Sequence, residues 1–557
     1  MAVEIPSDAS SHSLDKNSDP NLSSDQGDVE LSNGQISASG DQEATVYVQG
    51  PRFWLITICI VIMMFLTNFE VPVIVTALVS ITDDLGGFSI VGWVVASYLL
   101  GYVAVIVIFA KFSDIFSRKT VFLLSIMLFI VFSAACAAAQ TMIQLIIFRA
   151  LQGVGGGGSF SLCTILIIEL VPPEKTPKFV SNISLSNALA LLLGPIIGGA
   201  IASNTTWRWI FIINVPLGVP AFLLALFAIP KDFPNHTRPS LEAKNTGVSL
   251  GNRLRRIDIP GTVLILFATL ALTAAFEEAD KKFPWKSAYV ITLLTVSGLL
   301  WISLIFWERH VTLSNGVREP ILPWRFVLNR QMIGILLNFV FLGGPTIIGM
   351  FLIPQRFQLA YGTSSLNAGL ALIPFGVVIA VGSIFASIVC GKFKVPPLYM
   401  MLVGSGLQVL GFALLGTLPA TLDIPPRIYG FEVIAGWGCG INFTLLFVVI
   451  QFVNEKRDNA VAMGAAAQFR MMGSAMILAI STSVFNTYAR PQLESLVGVS
   501  DADILPRLLP TLPQELQNQV RYVLAEAYNR QTLVLCASSA MQIPVTLFMW
   551  KKKQLTI

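Results

Sequence analysis

From Pro51 to its C-terminal end the chain is a succession of apolar stretches, and this constrains its fold more than any other feature. A helix needs about 20 apolar residues to cross some 30 Å of hydrocarbon. Lipid offers no partner for backbone polar groups, so each stretch must close its hydrogen bonds internally, as a helix. Fourteen spans are expected, at 53–79, 88–109, 120–139, 142–167, 179–202, 208–229, 259–276, 287–307, 332–354, 366–389, 397–418, 428–452, 460–485 and 532–550. Composition agrees. Of 557 residues, 54% are hydrophobic and 12% are charged, about half the charge of a soluble protein. With 36 basic against 32 acidic residues, a polyanion-binding surface is also excluded. The fold class is all-α integral membrane, and no nucleic-acid partner is expected.

Residues 1–50 hold ten Ser, nine Asp or Glu and a single basic residue, Lys16. Such a segment cannot bury enough apolar surface to offset its chain entropy, so a disordered cytoplasmic tail is expected there. It has neither the basic start nor the apolar core of a cleavable signal. Counting Lys and Arg in alternate loops gives 24 on the side of the N-terminus against 10 on the other. Both termini are therefore expected in the cytoplasm, the last being 551–557 with Lys551, Lys552 and Lys553. Residues 51–229 would form a first six-helix half and 230–258 a basic cytoplasmic linker. Two extra helices and a cytoplasmic loop would follow at 259–330, then a second six-helix half at 331–550. The 486–531 loop would be extracellular. In it Leu512, Leu516, Val520, Val523 and Leu524 recur at helical spacing, suggesting an amphipathic surface helix or lid, or a short helix in a solvated loop.

The six cysteines lie in or beside apolar runs without a CxxC pair, and read as small core residues. None of the three histidines, His12, His236 and His310, falls in a span. Metal binding is therefore not expected, and intramembrane proton chemistry would have to use carboxylates. The Gly155–Gly158 run lacks the lysine of a phosphate-binding loop, so a proton gradient, not ATP or another cofactor, is the expected energy source. An embedded enzyme or a transporter-like sensor fits less well, lacking clustered reactive side chains or a signalling domain.

An internal repeat relates spans four and twelve. At an offset of 283 residues, Phe148 falls on Phe431, Phe160 on Phe443, and Gly153, Gly155 and Gly157 on Gly436, Gly438 and Gly440, while Arg149 falls on Glu432. The repeat pairs spans 1–6 with spans 9–14, an arrangement suited to alternating access around a midplane site.

Several motifs resemble those of the major facilitator superfamily, in its fourteen-helix drug:proton antiporter branch. Ala110-Lys111-Phe112-Ser113-Asp114-Ile115-Phe116-Ser117-Arg118-Lys119 resembles the loop between the second and third helices, with Ala110 and Ser117 in place of glycines. The resemblance implies a cytoplasmic latch built on Asp114, Arg118 and Lys119, and the corresponding 391–394 stretch lacks the acid, so one latch is expected. Gly194-Pro195-Ile196-Ile197-Gly198-Gly199 is similar to the antiporter hinge, implying roles for Gly194, Pro195, Gly198 and Gly199; a kinked helix in any transporter would read the same way. Arg149-Ala150-Leu151-Gln152-Gly153 resembles the helix-four motif of a cavity-lining charge, for which a structural ion pair is the alternative. Glu70 stands where the branch carries an intramembrane acid. It is the first choice for proton carrier and Glu432 the second, with Arg470 neutralising one of them. Trp207-Arg208-Trp209-Ile210-Phe211-Ile212-Ile213-Asn214-Val215-Pro216-Leu217-Gly218 closely resembles the branch pattern opening helix six. Pro354-Gln355-Arg356-Phe357-Gln358 and Ala368–Pro374 are similar to fungal members, including pumps for toxins and secondary metabolites.

Asn68, Gln152, Asn187, Asn338, Gln355, Gln408, Asn442 and Gln468 are polar residues in or beside spans and are candidates for the substrate cavity. Such amides also serve as interhelical hydrogen bonds. A mostly apolar pocket suits a drug-sized amphipathic organic compound. The expectation is a monomeric, proton-coupled exporter of such a compound in the plasma membrane, or alternatively the vacuolar one. The rival is an importer, such as a siderophore transporter. One sequon, Asn204-Thr205-Thr206, faces outward as a glycosylation candidate.

Overall fold

The computed structural model describes residues 48–557 except 87–89, 173–174, 176–178, 180–185, 187–188, 191–192, 195, 203, 232, 234–249, 281–282, 315, 456–457, 499–511, 553 and 556–557. The expected N-terminal tail up to residue 47, most of the linker, Asn187 and Pro195 thus lie outside the described residues. Thirteen described helices are long and apolar enough to cross a membrane. They match thirteen of the expected spans; the fifth, 179–202, falls partly on residues outside the described set.

Most helices begin and end within a few residues of expectation, but three departures have physical causes. Span one is the helix Pro51–Val75, followed after a break by Leu78–Leu85. Span nine runs through a π-helical segment, Gly344–Ile348, between Arg330–Gly343 and Gly349–Leu359. The third departure corrects the expected 486–531 loop. The span-thirteen helix continues to Val497, and the last helix starts at Gln514 and runs to Phe548 without interruption. Its first turns are no surface helix or lid, because Val520, Val523 and Leu524 are buried with Phe485, Leu493 and Phe357 in the core of the second half. The apolar spacing was that of a transmembrane helix prolonged beyond the bilayer, packed along its length.

The repeat governs how each half is assembled. A Cβ on Gly153 or Gly157 would collide with the backbone of Tyr98 or Tyr102 in the span-two helix Trp93–Ile115. Their counterparts Gly436 and Gly440 press in the same way on Phe375 and Ile379 of Ile373–Lys392 in span ten. Gly155 faces Phe129 of span three, and Gly438 faces Gly404 and Gln408 of span eleven. Helix backbones approach this closely only where no side chain intervenes, so the glycine pattern fixes both neighbours of spans four and twelve. In each half, two faces of the fourth helix are used for backbone contact.

The halves meet where span two packs on the span-thirteen helix Asn459–Val497. There Gly464 lies against Ala110, and the Gln468 side chain bridges two helices. Its Oε1 accepts from the Val107 backbone N–H at 3.1 Å, and its Nε2 donates to Thr269 Oγ1 at 2.8 Å. Thr269 lies in Ile259–Glu278, the first inserted helix, so the insertion joins the seam between the halves.

Candidate functional site

Glu70 sits at the centre of a polar cluster inside the first half. It lies two residues before Pro72, which removes one helical hydrogen bond from span one. Span four, capped by the Thr141 side chain, places Arg149 and Gln152 three residues apart on one face. Arg149 Nη1 donates to Glu70 Oε1 at 2.6 Å and to Gln152 Oε1 at 2.7 Å, while Gln152 Nε2 donates to Glu70 Oε1 at 2.9 Å and to Ser133 Oγ at 2.7 Å. The other carboxylate oxygen accepts from Asn214 Nδ2 at 2.7 Å. Arg149 Nε reaches the Val94 carbonyl at 2.9 Å, and the guanidinium lies over the Tyr98 ring, 4.3 Å from its centroid. Glu70, Arg149, Gln152, Ser133 and Asn214 are all fully buried.

Five helices therefore converge on one ion pair. A buried arginine costs about 2.5–3.5 kcal/mol to insert, and charge-assisted hydrogen bonds of roughly 1.5–3 kcal/mol each offset it. Tyr98 Oη, Arg149 Nη2 and Asn214 Oδ1 are buried without a hydrogen-bond partner, leaving donors and an acceptor in reserve beside the carboxylate. Gly194 and Gly198 of the hinge motif press against span one at Pro72 and Val73, within one turn of Glu70. A Cβ at either would collide with that helix, which is a physical reason for glycine here; a Cβ on Gly199 would meet no described atom within 4 Å.

The second half holds a counterpart of opposite sense. Glu432, on the repeat position of Arg149, is buried with neither oxygen hydrogen-bonded. Arg356, one helical turn beyond the position equivalent to Glu70 in span nine, is also buried. It donates to the Leu415 carbonyl at 3.2 Å and to Tyr361 Oη at 3.3 Å, with Nη2 left over. Both line a cavity of about 20 Å³ with Phe412, Tyr528 and Thr532, room for about one water molecule. Acid on the first helix and base on the fourth become base on the first and acid on the fourth.

The major facilitator superfamily model matches residues 53–478. The chain belongs to this superfamily. This major facilitator protein is a multi-pass membrane transporter and not an enzyme. It is 37% identical over 519 residues to the MFS-type transporter FPY5 of Fusarium mangiferae, covering 92% of this chain and 86% of that one. It is 30% identical to the MFS-type efflux pump LUC4 of a Fusarium species, covering 84% and 79%. The crystal structure of the human organic anion transporter MFSD10 superposes with a TM-score of 0.55 at 14% identity, covering 90% of this chain and all of that one. That likeness concerns the fold.

At the end of the transporter bearing the basic loops, Arg118 donates to both oxygens of Glu169 at 2.9–3.2 Å, to Ser113 Oγ at 2.8 Å and pairs with Asp114 at 2.6 Å. Lys119 Nζ donates to the Ile229 carbonyl at 2.8 Å. Arg118 and Lys119 of the expected latch, at the start of span three, thus bind spans two, four and six of their own half, and Glu169, unsignalled by the loop motif, is an acidic partner of Arg118. The tie from this loop towards the insertion is Lys111, whose Nζ is 2.8 Å from Glu319, itself held by Arg256.

The remaining expected residues separate. Arg470 meets neither acid; its guanidinium lies 5.7 and 5.3 Å from the ring centroids of Phe160 and Phe443, the repeat-related pair, where the halves meet. The expected neutralising role is therefore taken by Arg149 for Glu70. Asn338 is bound to Gly334 and Thr546, while Asn442, Gln408, Gln542 and Ser405 form one buried network. Asn68 bonds back to the Met64 carbonyl, and Gln355 is exposed. Asn68, Asn338, Gln408, Asn442 and Gln468 thus bond between or within helices. An open groove of about 610 Å³ is lined instead by Trp285, Ser483, Tyr488, Gln492, Arg530 and their apolar neighbours. Asn204 is exposed, and no group of three metal-ligating side chains occurs among the described residues.

Three residues of the ion-pair cluster were not singled out from sequence: Tyr98, Ser133 and Asn214. Asn214 had a signal, since it is the asparagine of the Trp207–Gly218 motif.

Proposed function

We propose that this transporter is a proton-coupled exporter of a drug-sized amphipathic organic compound, a secondary metabolite or xenobiotic, in the plasma membrane with both termini in the cytoplasm. The observation that carries this reading is the fully buried Glu70 carboxylate, whose ion-pair partner is the equally buried Arg149. An ion pair removed from water is held by mutual attraction, so adding a proton to Glu70 cancels half of it and frees Arg149 to reorient. Span one then shifts against its glycine contacts at Gly194 and Gly198, and the halves rock about the seam. The close packing of span two on span thirteen at the basic end supports a state shut towards the cytoplasm. Similarity to the efflux pump LUC4 of a Fusarium species favours export.

The test is deletion of the gene in its own host, followed by comparison of small molecules in cells and medium. A compound that accumulates inside and disappears outside is expected, and purified protein in proteoliposomes should then move it against an opposing proton gradient. A compound left behind in the medium would overturn export.

A further inference from the structure

The inserted helices carry two buried acids, close together, that the transport site does not use. Asp258 caps Ile259–Glu278, and Glu308 lies near the end of the second inserted helix, Ala288–Leu313. Each is only 2% exposed. Gly261 brings them together: a Cβ there would collide with Asp258 Oδ2 and come within 2.7 Å of Glu308 Oε1, so the two oxygens crowd one point where not even a methyl group fits.

The hydrogen bonds around the two acids are unequal. Asp258 Oδ1 accepts from the Gly261 backbone at 3.1 Å and from Trp307 Nε1 at 2.8 Å, whereas Oδ2 is buried without a donor. Glu308 Oε1 accepts from the Ile321 backbone at 3.2 Å, and Oε2 is buried without a partner. The charged neighbours from the packed elements are Lys111 of span two, bound to Glu319, and Arg256, bound to the same Glu319. No cation is hydrogen-bonded to either acid of the pair among the described contacts. Two carboxylates this close and this dry are not both ionised at once without a counterion.

We infer that Asp258 and Glu308 form a proton-binding site that takes one proton from cytosolic water and shares it. The proton resides on Glu308, whose Oε2 is buried without a partner, and the new O–H supplies the donor that Asp258 Oδ2 lacks. The site bears on the latch through one short segment. The Glu319 backbone N–H donates to the Arg256 carbonyl at 3.0 Å, Ile321 N–H binds Glu308, and the Glu319 side chain grips Lys111 at the start of the 110–119 loop. Losing the proton sets like charges against each other and pushes that segment, so the site reads cytosolic pH into the latch.

This inference does not rest on Glu70 as proton carrier. The test uses purified full-length protein and the difference in tryptophan fluorescence between native protein and Trp307→Phe, because Trp307 donates to Asp258. Titrated over the range in which a shared carboxyl proton is expected to leave, about pH 5 to 9, native protein should give a single one-proton transition. It should persist in Glu70→Gln, vanish in both Glu308→Gln and Asp258→Asn, and keep its midpoint in sodium, potassium or magnesium chloride. Absence of the transition, or its survival in both substituted proteins, would overturn the inference. A midpoint that moves with one cation would replace it with a cation site.

Discussion

Asn214 Nδ2 lies 2.7 Å from Glu70 Oε2, the carboxylate oxygen that Arg149 leaves open. The two ends of the first half, span one and span six, are thereby joined through the group proposed to carry the proton. Glu70→Gln keeps the shape and most hydrogen bonds but cannot change charge. It should abolish gradient-driven transport in proteoliposomes while leaving substrate binding measurable; full gradient-driven transport would remove Glu70 from the mechanism. Asn214→Leu leaves a charged oxygen unpaired at a cost of about 1.5–3 kcal/mol. It should lower the thermal midpoint of the purified protein and slow transport about tenfold or more.

Removing Arg149 is expected to do more damage than removing the charge of Glu70. Arg149→Ala strands a carboxylate that is 0% exposed, and breaking a buried pair from one side costs about 3–5 kcal/mol. The double variant Glu70→Gln/Arg149→Ala should recover much of that stability and none of the transport. A thermal melt of the four proteins checks it: additive losses would mean that the two residues do not act as a pair.

The helical membrane fold was legible because lipid allows a spanning segment few other ways to satisfy its backbone. The repeat was legible because glycine is needed wherever Gly153, Gly157, Gly436 and Gly440 meet a neighbouring backbone. Glu70 and Arg149 stood out since charges inside apolar spans are costly. The partners Tyr98 and Ser133 did not, because uncharged side chains in a span cost little, and Asn214, although part of the Trp207–Gly218 motif, carried no mark of which helix it faces. The same ambiguity explains the cavity candidates: Asn338, Asn442 and Gln468 are polar enough to bind a ligand, and only packing shows that neighbouring helices occupy them. The stripe from Leu512 to Leu524 has the right period for a helix, but period alone does not tell a lid from the extension of a span.

Glu432 offers a cleaner separation of function from folding. Neither of its oxygens has a hydrogen bond to lose, so Glu432→Gln should change the thermal midpoint little. If the inverted pair with Arg356 takes part in coupling, the same substitution should reduce the number of protons moved per substrate, measured from the gradient at which net transport stops. An unchanged ratio would confine coupling to the first half.

The link between the 110–119 loop and the insertion should respond to acid with a defined sign. Burial opposes ionisation of Glu319, but Lys111 and Arg256 outweigh it and hold its carboxyl below the usual range. A carboxyl whose value is depressed in the folded state contributes stability above its unfolded value and loses it as pH falls through the folded one. The Lys111–Glu319 contact should therefore be indifferent to pH near neutrality and fail only in acid below the ordinary carboxylate range. Because Glu319 remains 31% exposed, solvent limits its worth to at most about 1 kcal/mol. Native protein and Glu319→Gln should thus differ by a small, constant amount in thermal stability at neutral pH, and the difference should close in strong acid. A gap that instead widened on acidification would mean that Glu319 is held by something other than its two cations.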